Sequence, residues 1–151
     1  MDVFVIRHAK AESRSRWEAD DRDRPLTDKG RTQAQALVGL LERSEITRVI
    51  SSPYRRCIET VAPLAERLGV TLEADETLAE GQDWADALRI LESATTPVAL
   101  CSHGDVIGDL IGRLVLRGVP VDDDRLEKGS TWVLQIEAGD VTKARYLGPP
   151  G

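Results

Sequence analysis

Two histidines and two adjacent arginines are the residues of this chain best suited to carry chemistry. His8 and His103 are the only 2 histidines in 151 residues. Each follows an apolar run, Val3 to Ile6 for the first and Val98 to Cys101 for the second. The end of a buried strand is where α/β sheets gather their ligands. A neutral imidazole there attacks phosphorus when a hydrogen bond to its other ring nitrogen fixes the tautomer. The attacked group is an anion, so guanidiniums must neutralise its oxygens and hold them for in-line displacement. Arg7 is adjacent to His8, and strand neighbours point to opposite faces, so both reach one pocket only where the strand ends and the chain turns. Arg56 lies one helical turn beyond Ser52, close to a helix N-terminus whose free N–H groups also favour phosphate. Arg55 points about 100° away around the helix and is the weaker candidate.

The elements that must position these residues alternate between strand and helix. Val3 to Ile6 reads as a buried parallel strand, and Thr27 caps a helix carrying Ala34, Leu37, Val38 and Leu41 at helical spacing. Arg48 to Ser51 is a short strand running into Ser52-Pro53, a side-chain cap followed by proline at a first helical position. The helix expected there runs toward Leu68, with Pro63 kinking or interrupting it and Gly69 ending it. Val70 to Ala74 reads as a strand, Trp84 to Leu91 as an amphipathic helix, Val98 to Cys101 as a strand and Val106 to Leu116 as a helix. Thr131 to Ile136 and Val141 to Tyr146 flank Ala138-Gly139-Asp140 as a terminal hairpin. Ala11 to Arg24 mixes acids and arginines without an apolar period and reads as a solvated loop that could act as a lid. This alternation implies an α/β fold with helices on both faces of the sheet, and 151 residues make a single domain spanning 1–151.

The motifs now become specific. RHA at Arg7 to Ala9, LTDKGRTQA at Leu26 to Ala34, SSPYRRCIET at Ser51 to Thr60, LAE at Leu78 to Glu80 and SHG at Ser102 to Gly104 occur in one order along the chain. Together they resemble the histidine phosphatase superfamily. That resemblance implies a three-layer, phosphoglycerate mutase-like sandwich around a mostly parallel central sheet. It implies His8 as nucleophile, Arg7, Arg56 and His103 as phosphate ligands, and Glu80 as proton donor. The family arginine is the sixth residue of the SSPxxR block, which selects Arg56 over Arg55. The RHAK start and small size are similar to SixA-type phosphohistidine phosphatases and to phosphatase-like domains joined to some Nudix hydrolases, so association with a Nudix-type protein is an expectation. The SixA-type pattern lacks a proton donor at the LxE position, whereas Glu80 is present here. Asp105 is expected to cap the helix beginning near Val106.

The implied reaction is metal-independent phosphomonoester hydrolysis. His8 attacks in line, Glu80 protonates the departing oxygen, and the phosphohistidine is then hydrolysed by water that ionised Glu80 helps to activate. His103 is expected to be protonated beside the bound dianion. The arginines supply the charge neutralisation that a metal would otherwise provide, so no cofactor is expected. Glu80 favours a small phosphomonoester, a sugar phosphate or a nucleotide, over phosphohistidine protein as substrate. Three rivals stay open: a protein phosphohistidine phosphatase, a mutase-like phosphotransferase, and an inactive phosphate-binding module.

Composition excludes other classes. A net charge of −6 argues against a general basic surface for nucleic acid or anionic lipid. No apolar run approaches the ~20 residues that span a bilayer. Cys57 and Cys101 suggest neither a disulfide framework nor a zinc site, and a cytoplasmic location is the expectation. The sequence carries no GxxxxGK[ST] loop and no HExxH. Asp20-Asp21 and Asp122 to Asp124 are expected to be solvated surface, while Trp17 and Trp84 are placed near the pocket mouth.

Overall fold

The first strand, β1 (Asp2–Arg7), is buried on both faces because its side chains alternate between two cores. Val3 and Val5 enter one, and Phe4 and Ile6 enter the other. The computed structural model describes all residues, 1–151. After β1 come α1 (Asp28–Leu41), β2 (Arg48–Ser51), α2 (Arg55–Leu68), β3 (Leu72–Ala74) and α3 (Trp84–Glu92). β4 (Val98–Ser102), α4 (Gly104–Leu116), β5 (Thr131–Glu137) and β6 (Asp140–Leu147) complete the chain. The six strands form one sheet in the order β3-β2-β4-β1-β5-β6. β3, β2, β4 and β1 run parallel, and β5 and β6 are added antiparallel at the β1 side.

The two cores are the two faces of this sheet. Leu88 and Leu91 of α3 and Val106, Ile107 and Leu110 of α4 pack on Val3, Val5, Val98 and Leu100. Leu37 and Leu41 of α1 and Cys57, Val61 and Leu64 of α2 pack on Phe4, Ile6, Val49, Ala99 and Cys101. This is the expected α/β three-layer arrangement with a mostly parallel sheet. No helix is long and apolar enough to cross a membrane.

Most expected elements are present, with displaced ends that have physical causes. Thr27 caps α1 by accepting from the Gly30 N–H at 3.0 Å, and Gly69 closes α2 in the left-handed region at φ 68°. The hairpin turns at Ala138 and Gly139, both at positive φ, as a two-residue type I′ connection requires. α2, however, starts at Arg55 with Tyr54 in the cap position, so Ser52 is not its cap and Pro53 is not its first residue. The Ser52 hydroxyl lies 2.8 Å from His103 Nε2 and accepts from the Tyr54 N–H at 3.2 Å, just before the helix begins. α2 also runs through Pro63 without interruption. β3 begins at Leu72, two residues later than Val70. α4 begins at Gly104 with His103 in the cap position. Asp105 therefore lies inside its first turn, where one carboxylate oxygen accepts from Val106 N–H at 2.8 Å and the other from Gly81 N–H at 2.8 Å.

Candidate active site

Sheet register brings the two histidines together. Arg7 of β1 pairs with Ser102 of β4, so His8 and His103 leave adjacent strands at the same level, and the His8 N–H donates to the Ser102 carbonyl at 3.1 Å. Their ring centroids lie 5.5 Å apart, edge to face. β2 lies on the other side of β4, which carries Ser52 to His103 and starts α2 beside both rings.

Each recurring block has a local task in holding this arrangement. After His8 the chain turns, and the Ala9 N–H donates to the Thr60 hydroxyl at 2.9 Å while that hydroxyl donates to the Arg56 carbonyl at 2.7 Å. The Lys10 N–H donates to Gln33 Oε1 at 3.0 Å, and the Lys10 carbonyl accepts from Thr27 N–H at 3.0 Å. Gly30 lets α1 approach this turn, because a β-carbon there would sit 2.0 Å from the Lys10 oxygen. The Ser102 hydroxyl donates to the Leu78 carbonyl at 2.7 Å and fixes the loop that delivers Glu80.

The His8 ring is set as a nucleophile must be. Its Nδ1 lies 2.8 Å from the Ala9 carbonyl oxygen, which can only accept, so Nδ1 carries the proton and Nε2 keeps a lone pair. Burial lowers its pKa to about 3, against the opposing Ala9 hydrogen bond, and the charges of Arg56, His103 and Arg7 add to the depression. His8 is thus neutral at physiological pH. The second histidine is held differently: its Nε2 meets Ser52 Oγ at 2.8 Å, and its Nδ1 faces Arg56 Nη2 at 3.5 Å.

Arg56 and Arg55 are sorted by burial. Arg56 is fully buried, donating to the Asp21 carbonyl at 3.0 Å and the Asp21 carboxylate at 3.2 Å, and lying 3.5 Å from Glu80 Oε1. Arg55 is exposed and pairs with Glu59 one turn along. Arg7 donates through Nη1 to the Leu126 carbonyl at 2.5 Å. The Nε groups of Arg7 and Arg56 are buried without a partner. Both guanidiniums therefore retain donor capacity for an anion.

A cleft of about 590 Å³ opens above His8, lined by twelve residues of which two are hydrophobic, Ala11 and Leu126. Arg7, Arg14, Arg24, Glu80, Asp105 and Lys128 contribute charged groups to it. Glu80 faces this cleft and pairs with Arg14 at 2.9 Å. Five expected site residues, Arg7, His8, Arg56, Glu80 and His103, are thus brought to one place. No group of three or more His, Cys, Asp or Glu side chains is arranged to hold a metal ion.

Other residues depart from expectation. Ala11 to Arg24 is not a solvated loop throughout: Ala11 and Arg24 are buried, and Asp21 to Asp23 form a 3-10 turn. Asp21 is an internal partner of Arg56 and Arg24. Burial by itself would raise its pKa, but the Arg24 hydrogen bond and the charges of Arg56, Arg24 and Arg14 hold the carboxyl below its usual range. Trp84 lies away from the cleft, under Arg113, with the guanidinium carbon 5.2 Å from its ring centroid. The Trp17 indole N–H donates to the Asp20 carbonyl at 2.9 Å, and the ring does not line the cleft. Arg14, Arg24 and Lys128 escaped sequence reasoning, since no local spacing ties them to the motifs.

Comparison with known proteins agrees with this geometry. The pattern of the histidine phosphatase superfamily (branch 1) matches residues 3–87. An 8-oxo-(d)GTP phosphatase of Mycolicibacterium smegmatis is 39% identical over 98% of this chain and 48% of its own length. A glucosyl-3-phosphoglycerate phosphatase of Mycolicibacterium vanbaalenii is 30% identical over 68% of this chain and 47% of its own length. The chain thus spans about half the length of these relatives. Among solved structures, the protein histidine phosphatase SixA complexed with tungstate superposes with a TM-score of 0.78 at 23% identity, covering 100% of this chain and 97% of that one. By motif order, fold and site geometry alike, this chain belongs to the histidine phosphatase superfamily.

Proposed function

We propose that this protein is a phosphatase that hydrolyses small phosphomonoesters through a phosphohistidine on His8. The observation that carries the reading is the Nδ1–H of His8 donated to the Ala9 carbonyl at 2.8 Å, which leaves a neutral Nε2 on a ring beside His103 and in the field of Arg56 and Arg7. Arg7 and Arg56 hold the phosphoryl oxygens, and His103 donates a further hydrogen bond to them. Nε2 of His8 attacks phosphorus, the P–O bond on the far side breaks, and the departing oxygen takes the proton of Glu80. Water then attacks the phosphorus of the phosphohistidine, giving its proton to the Glu80 carboxylate as the P–N bond breaks. Inorganic phosphate leaves and His8 is regenerated. The two guanidiniums provide the charge neutralisation that this step needs.

The polar cleft and the two relatives, named for a nucleotide and for a glucosyl phosphoglycerate, support a small phosphorylated metabolite over a phosphohistidine protein. The test is phosphate release from p-nitrophenyl phosphate by wild type and His8→Ala, with rapid acid and base quench of labelled wild type. Turnover should vanish in the variant, and the trapped phosphoenzyme should be acid-labile and base-stable. Turnover by His8→Ala at the wild-type rate would refute the reading.

A further inference from the structure

The chain carries a net charge of −6, yet its cleft is lined by Arg7, Arg14, Arg24 and Lys128 against Glu12, Glu80 and Asp105. Arg7 and Arg56 account for the phosphoryl group to be transferred. Arg14 and Arg24 are already engaged, the first by Glu80 at 2.9 Å and the second by Asp21 at 2.9 Å and the Glu12 carbonyl at 2.6 Å. Lys128 is different. It lines the same cleft, has no ion-pair or hydrogen-bond partner, and stands among like charges. Burial lowers its pKa, and the charges of Arg7, Arg24, Arg14 and Arg56 lower it further. The guanidiniums of Arg14, Arg24 and Arg56 are paired with Glu80 and Asp21, whereas the Lys128 ammonium has no counter-charge, and a bound anion would supply one. Glu12 also lines the cleft without an ion pair, but its carboxylate is not among the groups that dominate the field at Lys128.

The geometry of displacement says which part of a substrate Lys128 would meet. His8 is buried and forms the floor, while Arg14 and Lys128 are exposed and form the rim. In-line attack from the floor sends the leaving group toward the rim. The cleft lining includes no Phe, Tyr or Trp ring on which a base or sugar could stack.

We propose that Lys128 is a specificity-determining residue that binds a second anionic group, carried on the leaving-group side of the substrate. This rests on the phosphatase reading for the direction of departure, but the binding itself is measurable without turnover. Titration calorimetry at low salt compares methylphosphonate with methylenediphosphonate and with phosphonoacetate, on wild type, Lys128→Met and Lys128→Arg. Wild type should bind at least one of the doubly functional anions about tenfold more tightly than methylphosphonate, as an added charge-assisted contact in a partly exposed cleft implies. Which one gains identifies a second phosphate or a carboxylate. Lys128→Met should lose that gain and keep methylphosphonate affinity within about twofold, while Lys128→Arg retains it. In turnover, Lys128→Met should raise KM for a bisphosphorylated substrate by a larger factor than KM for p-nitrophenyl phosphate, with little change in kcat. Equal binding of all three anions by wild type, or an equal loss for all three in Lys128→Met, would overturn the proposal. A wild type that binds the doubly functional anions as expected but releases no phosphate would instead overturn the phosphatase reading alone.

Discussion

A β-carbon on Gly104 would lie 2.9 Å from the guanidinium carbon and Nη2 of Arg7. The first residue of α4 is thus a glycine because an arginine of β1 lies across it. Alanine suits a helix better than glycine, so Gly104→Ala should leave thermal stability unchanged or slightly raised. Arg7 must shift, and a displacement of about 1 Å in a phosphate-binding group costs up to roughly 10²-fold in kcat/KM. Melting temperature and kcat/KM on p-nitrophenyl phosphate check this together; a variant with full activity would show that Arg7 adjusts freely.

The depressed pKa of His8 has a consequence for acid stability. In the fold its pKa is about 3, against an ordinary value of 6.5. Between these values the unfolded chain binds more protons, so stability rises with pH across that window and is lost as pH falls through it. Over pH 6.5 to 4.5 this amounts to about 2–3 kcal/mol. His8→Asn, which has nothing to protonate there, should lose correspondingly less, read as urea midpoints at the two pH values. Parallel losses in both proteins would place the acid sensitivity elsewhere.

Sequence patterns captured whatever depends on short-range periodicity or a single cap. The two-sided burial of Val3 to Ile6 and Val98 to Cys101, the Thr27 cap and the Ala138-Gly139 turn are of this kind. Some of the misreadings have one cause: a tertiary partner recruited a side chain that local rules would spend nearby. Ser52 accepts locally from Tyr54 N–H and also holds His103; Asp105 accepts locally from Val106 N–H and also anchors Gly81. Asp21 and Lys128 sit in polar stretches indistinguishable from surface, and only the fold carries them to Arg56 and the cleft.

Arg56 and Arg55 should respond very differently to lysine. Arg56 is fully buried and makes contacts from more than one nitrogen, which an ammonium cannot reproduce. Arg56→Lys should lower kcat/KM by roughly 10²–10³-fold, whereas Arg55→Lys, altering only a surface pair with Glu59, should stay within about twofold. Excess chelator should leave wild-type turnover unchanged. Similar losses in the two variants would undo the choice of Arg56 as the phosphate ligand.

The substrate class turns on Glu80. When phosphate leaves a phosphohistidine, the departing group is an imidazole nitrogen, a tolerable leaving group that makes little use of a general acid. An alkyl phosphoester releases an alkoxide, and a carboxyl positioned to protonate it contributes roughly 10²–10⁴-fold. Glu80 lines the cleft above His8, within 3.5 Å of Arg56 and 2.9 Å of Arg14, where the proposed mechanism needs its acid. Glu80→Gln preserves shape and hydrogen bonding but has no proton to transfer. Compared with wild type on aryl and alkyl phosphates of rising leaving-group pKa, it should show a small deficit for nitrophenol that grows steadily toward alkyl esters. The Brønsted slope of the variant should therefore be steeper than that of wild type. A deficit independent of the leaving group would reduce Glu80 to a partner of Arg14. Faster wild-type turnover of phosphohistidine protein than of every ester would turn the assignment toward phosphohistidine hydrolysis.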